Sequence, residues 1–146
     1  MNISGTVGMI LNQKGHHVYS ISAEATVFEA IQIMAEKNVG ALLVTSEERL
    51  VGVISERDYT RKVALKGKSS RETKVHEIIS SPVASATPGH SVEDCMRLMT
   101  NNRVRHLPVL EGDRLVGIVS IGDLVNWTIS AQDAAIEQLK SYISGR

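Results

Sequence analysis

The chain has 146 residues, with 16 Lys+Arg against 16 Asp+Glu and a formal net charge of zero. Hydrophobic residues make up 42% and aromatic residues 3%, a balance that excludes a disordered tail, a nucleic-acid binder driven by a strong positive field, and a stacking platform for single strands. One cysteine, Cys95, cannot close an internal disulfide, no apolar run approaches the roughly 18 residues of a membrane span, and the first residues lack a basic-then-apolar signal pattern. The expectation is a folded cytoplasmic chain with no membrane and no nucleic-acid partner.

The chain repeats itself. Val27-Phe28-Glu29-Ala30-Ile31 lies over Val92-Glu93-Asp94-Cys95-Met96 at a shift of 65 residues, and the match continues without a gap. Met34 meets Met99, Leu42 and Val44 meet Leu107 and Val109, and Arg49-Leu50-Val51-Gly52 meets Arg114-Leu115-Val116-Gly117. Upstream, Val7-Gly8-Met9-Ile10-Leu11 matches Val75-His76-Glu77-Ile78-Ile79, with three extra residues around Lys14-Gly15-His16. Units this short bury little core alone, so the two are expected to pack on each other. The expected division is 1–68 for the first repeat, 69–130 for the second and 131–146 for a C-terminal amphipathic helix.

In chain order each repeat reads alike. A short strand is expected at 18–21 and again at 83–86. A helix follows, opened by Thr26 with Glu29 and by Ser91 with Asp94, the pattern of a capping box. Val27, Ala30, Ile31 and Met34 fall at helical spacing, as do Val92, Cys95, Met96 and Met99. Two strands joined by a polar turn come next, at 41–44 and 50–54, then at 106–110 and 115–119. A second helix starts after Ser55 or Ser120. The order is β-α-β-β-α twice, an α+β fold. The polar, basic stretch 66–73 reads as a solvated linker, preferred over a basic patch, from Arg61 to Lys74, for an anionic partner. In the tail, Ala135, Ile136, Leu139, Tyr142 and Ile143 form a helical stripe that needs a partner, this chain or a second copy.

Both repeats carry Gly-x-x-Ser-x-x-Asp at the strand-to-helix junction: Gly52, Ser55 and Asp58, then Gly117, Ser120 and Asp123. A Ser N-cap with an acid three residues on is a helix-start device, and for one copy that reading suffices. Two copies in register point further. A helix start offers free N–H groups to an anion. A carboxylate there can accept both hydroxyls of a ribose, and the preceding glycine leaves room for a flat ligand.

With these segments, and with Val104-Arg105-His106-Leu107-Pro108-Val109, the chain resembles a tandem pair of cystathionine-β-synthase (CBS) domains, a Bateman module. The resemblance implies two βαββα repeats packed around a pseudo-two-fold axis. It implies a regulatory, signal-transducing module without catalysis that binds AMP, ADP, ATP or NAD (in some members S-adenosylmethionine) in clefts between repeats. By the same resemblance Asp58 and Asp123 hold ribose hydroxyls beside Ser55 and Ser120. The adenine lies against the opening strand of the opposite repeat. That assigns Ser81, Pro82, Val83 and Ala84 to the Asp58 site, and Val18, Tyr19 and Ser20 to the Asp123 site. Arg105 and His106 fall at phosphate-contacting positions. The first repeat has Gly40 and Ala41 there, and Arg57 is the substitute cation, so the two sites are not equivalent.

No metal, catalytic cofactor or catalytic residue is expected. His16, His17, His76 and His90 lack metal-ligand spacing, and no P-loop or Gly-x-Gly-x-x-Gly segment occurs. Cys95 sits on the core face of its helix and reads as a buried thiol. Apolar residues of the second helices and the tail, Val63, Leu65, Leu124, Val125, Ile136 and Leu139, which a single chain is not expected to cover, imply a homodimer, and the regulated target is another chain or none. The alternative is a purely structural dimerisation module with vestigial nucleotide sites.

Overall fold

The computed structural model describes residues 5–79 and 84–143. They form two compact units. One, the first-repeat unit, holds residues 17–79. The other, the second-repeat unit, joins residues 5–16 to 84–143. The opening segments are therefore exchanged relative to the sequence repeats.

In the second-repeat unit, helix α1 (Val7–Lys14) is capped by Thr6 and buries Val7, Ile10 and Leu11. Its entry is fixed by the Val7 N–H donating to the His90 carbonyl at 2.9 Å and the Gly8 N–H to that of Pro88 at 3.0 Å. In the first-repeat unit the aligned segment makes the matching bonds. The Val75 N–H donates to Ala25 O at 2.9 Å and the His76 N–H to Ala23 O at 3.0 Å. Val75 and Ile78 are buried there. Identical apolar spacing in the two segments gives each repeat the same hydrophobic plug.

The first-repeat unit continues with β1 (Ser20–Ser22), α2 (Val27–Lys37), β2 (Ala41–Ser46) and β3 (Arg49–Ser55). Thr26 and Glu29 form the expected capping box. β1 runs parallel to β2, and β2 antiparallel to β3, in a three-stranded sheet. β1 starts two residues later than the sequence implied, although the Leu43 N–H still reaches Tyr19 O at 3.0 Å. Helix α3 (Glu56–Tyr59) widens at once into a π-helical turn, Thr60–Ala64. The stretch 66–73 is more than a solvated linker. Ser70 O and Thr73 O take the Phe28 and Val27 N–H groups at 2.9 and 2.8 Å, satisfying the open start of α2. Thr73 is buried, and the Arg71 guanidinium lies 3.8 Å over the Phe28 ring.

The second-repeat unit repeats this frame with α4 (Val92–Asn102), β4 (His106–Glu111), β5 (Arg114–Ser120) and α5 (Ile121–Ile143). Ser91 and Asp94 form its capping box. The β4–β5 register, including a bulge after Val109, matches that of β2–β3 after Val44. The opening strand is reduced to one parallel bridge, Ala86 with Val109, among the described residues. Leu43 donates to the first opening strand, but its counterpart Pro108 has no N–H to give. The second helix and the tail are one continuous helix, α5, rather than separate elements. Val63 and Leu124 are fully buried in their own units, which corrects their assignment to an uncovered face. Leu65, Val125, Ile136 and Leu139 are exposed.

Candidate functional site

Each Gly-x-x-Ser-x-x-Asp segment ends a strand and starts a helix, and each is locked the same way. In the first-repeat unit the Ser55 N–H donates to Asp58 Oδ2 at 2.9 Å, and the Asp58 N–H donates to Ser55 Oγ at 3.2 Å. The Ser55 hydroxyl adds a bond to the same carboxylate oxygen at 3.0 Å. In the second-repeat unit the Ser120 N–H donates to Asp123 Oδ2 at 2.8 Å, and the Asp123 N–H to Ser120 Oγ at 3.1 Å. These reciprocal bonds satisfy two helix-start N–H groups and fix each carboxylate at the strand end. The side chains stay 26% and 22% exposed, so neither is sealed in the core.

Each carboxylate also meets a lysine that the sequence reading did not single out. Lys62 Nζ lies 3.5 Å from Asp58 Oδ1 and donates to Ile78 O at 2.8 Å. Lys14 Nζ donates to Asp123 Oδ2 at 2.7 Å and to Ile118 O at 3.1 Å. Lys62 is four residues on from Asp58, a spacing legible on a helix. Lys14 comes from α1, more than a hundred residues away in sequence, and no local pattern announces it. A cavity of about 210 Å³ beside this pair is lined by Ile10, Gln13, Lys14, Asp123, Asn126, Trp127 and Ser130.

The second-repeat unit brings Arg105, His106, Ser120 and Asp123 together. His106 pairs with Ser120 across β4–β5, and Arg105 O accepts the Ile121 N–H at 2.9 Å. Arg105 is exposed and His106 half-buried. In the first-repeat unit Ala41 pairs with Ser55, and Gly40 O accepts the Glu56 N–H at 3.0 Å. The backbone is reproduced without counterparts of the Arg105 and His106 side chains. Arg57 is exposed next to Asp58.

Val18, Tyr19 and Ser20 lie in the first-repeat unit, at and just before β1. Tyr19 packs on that unit's core, 4.5 Å from the His17 ring and under Lys37 Nζ at 5.6 Å. Ala84 is half-buried against the second-repeat core. Ser81, Pro82 and Val83 lie outside the described residues.

Two expectations about local chemistry are resolved by packing. The glycines do not leave open room. A Cβ on Gly52 would stand 2.8 Å from Ile79 Cδ1, and one on Gly117 would stand 2.7 Å from Leu11 Cδ2. The aligned plug residues, Leu11 and Ile79, fill that space. Cys95 is fully buried, and burial pushes its thiol up to about 11, with Asp94 adding to the rise. No cluster of three metal-ligating side chains occurs among the described residues, and none of their helices is long and apolar enough to cross a membrane.

A model of the CBS domain matches residues 14–65 and again 75–130. The chain is 36% identical over 151 aligned positions to the CBS domain-containing protein CBSX3, mitochondrial, of Arabidopsis thaliana, covering 97% of this chain and 73% of that one. It is 34% identical to the CBS domain-containing protein YhcV of Bacillus subtilis, covering 80% of this chain and 83% of its relative. A solved structure from Burkholderia ambifaria, named as a candidate signal-transduction protein with CBS domains, superposes with a TM-score of 0.83 at 45% identity, covering 86% of this chain and 95% of the other. The duplicated Ser–Asp junctions thus sit in two matched copies of one domain, and the chain belongs to the CBS-domain family as a tandem pair.

Proposed function

We propose that the chain is a cytoplasmic regulatory module that binds an adenine nucleotide, AMP, ADP, ATP or NAD, at its Ser–Asp junctions, and catalyses nothing itself. The observation that carries this reading is the doubled, partly exposed carboxylate fixed by its own helix start. Backbone N–H donation aims each carboxylate, and a carboxylate so placed can accept both hydroxyls of a ribose. Only the second-repeat unit sets an arginine and a histidine beside that junction, so the phosphate is read there. Lys14, which donates to Asp123 and to Ile118 O, is a further cation beside the same carboxylate. The signal is a difference in nucleotide affinity between two arrangements of the module, read by another protein chain.

The test is a thermal shift series with AMP, ADP, ATP and NAD. Ligand at one hundred times its Kd should stabilise the chain by about 2.7 kcal/mol. No shift with any of the four would leave the junctions as helix caps alone, the structural alternative.

A further inference from the structure

Beyond the Asp58 junction the first repeat ends in a basic surface. Residues 59–74 hold six Lys or Arg against one Glu, a net of +5 in a chain whose net charge is zero. Half of these cations are taken up by their own unit: Lys62 by Asp58 and Ile78 O, Lys74 by Glu24 at 3.2 Å, and Arg71 by the Phe28 ring. Arg61, Lys66 and Lys68 are exposed and make no ion pair among the described residues. The π-helical turn sets their direction. Arg61 and Leu65 lie two residues to either side of Val63, which is 1% exposed, so both face away from the core, and Leu65 is 77% exposed. Gly67, at φ 67°, ends the turn. Its N–H donates to Ala64 O at 3.2 Å and the Lys68 N–H to Val63 O at 3.0 Å, the pair of bonds that closes a helix C-terminus. The backbone thus satisfies these carbonyls and holds Lys66 and Lys68 in place without using their side chains as caps. At the aligned positions the second repeat has Asn126, Ser130, Ala131 and Asp133, so the cations are no part of the shared frame.

Charge and apolarity together select the occupant. Three unpaired cations around one leucine complement carboxylates around one apolar side chain. A nucleic-acid strand needs exposed rings to stack on, whereas Tyr59 packs on the core and Phe28 lies under Arg71. A membrane surface needs a broad apolar face, whereas Leu65 is the one large apolar side chain exposed in this stretch. We propose that Arg61, Leu65, Lys66 and Lys68 form a docking surface for an acidic, leucine-bearing segment of another protein. The surface lies outside both Ser–Asp junctions, and docking needs no nucleotide.

Fluorescence anisotropy with a labelled peptide repeating Glu-Glu-Leu-Glu tests it on the full chain. The unaltered chain should bind this peptide, bind its Gln-Gln-Leu-Gln counterpart far less, and release the acidic peptide as salt rises from about 0.05 to about 0.5 M. Arg61→Glu/Lys66→Glu/Lys68→Glu should weaken binding about tenfold or more. Arg49→Glu/Arg114→Glu/Lys140→Glu makes the same change in net charge elsewhere on the surface and should leave most of the affinity. Leu65→Ser should weaken binding with no change of charge. All of these residues are exposed, so far-UV circular dichroism should be unchanged. No binding of the acidic peptide, or equal losses in the two triple variants, would overturn the proposal. So would tighter binding of phosphatidylserine vesicles or polyuridine RNA than of the peptide, or loss of self-association in the Arg61/Lys66/Lys68 variant, which would make this face an interface between copies.

Discussion

The two repeats share a backbone and differ in what they hang on it. Capping boxes, hairpin register, bulge position and the exchanged plug recur pair by pair. The side chains around the Ser–Asp junctions do not all recur. Arg105 and His106 stand where the first repeat has Gly40 and Ala41. Trp127 stands where it has Lys62, and the second site recruits Lys14 from α1 instead. Pro108 in place of Leu43 removes an N–H and shortens the opening strand. Duplication conserved what the core needs, while the rim was free to diverge because exposed positions cost little to change.

The comparison breaks first if the plugs are not equivalent. Leu11→Ala should cost about 2–5 kcal/mol, as for a large buried side chain. Gly117→Ala should overpack the same spot by about 1–3 kcal/mol. Each change relieves the other, so the double variant should be less destabilised than the sum in urea unfolding. Strict additivity would mean that Leu11 does not fill the glycine's space.

The frame was legible in the sequence because it is periodic. Helical spacing, capping pairs and the repeat shift together located nearly every element. What stayed hidden depends on contacts distant in the chain. Nothing local shows that 7–14 completes the second repeat while 75–79 completes the first, or that Lys14 reaches Asp123. The role of 66–73 was missed because its carbonyls, not its side chains, do the work at the start of α2.

Smaller effects sharpen the comparison. Ser55→Ala and Ser120→Ala should each cost about 1 kcal/mol, the usual value for a lost N-cap, and to similar extents in both repeats. Thermal unfolding would show whether one junction matters far more, which would break their equivalence. Cys95 yields a pH effect. Burial raises its thiol pKa from the ordinary 9.0 to about 11, so the stabilisation is complete below pH 9 and declines as pH rises toward 11. Unfolding at pH 8 and pH 10.5 should show that loss reduced in Cys95→Ala. The smallest effect comes from the hairpin turns. Glu47 and Glu48 both have positive φ, at 51° and 65°, where the second repeat places Gly112 at 64°. Glu47→Gly should therefore stabilise the chain by up to about 1 kcal/mol, and destabilisation would show that the turn conformation is wrong.

The central claim, that the second-repeat junction reads ribose and phosphate separately, is tested most directly by calorimetry with AMP and adenosine. Charge-assisted bonds from an arginine are worth roughly 1.5–3 kcal/mol, so Arg105→Ala should weaken AMP about ten- to a hundredfold and adenosine far less. Asp123→Ala should weaken both ligands alike, since both carry the ribose. Equal losses of AMP and adenosine on Arg105→Ala, or unchanged affinities on Asp123→Ala, would contradict the account.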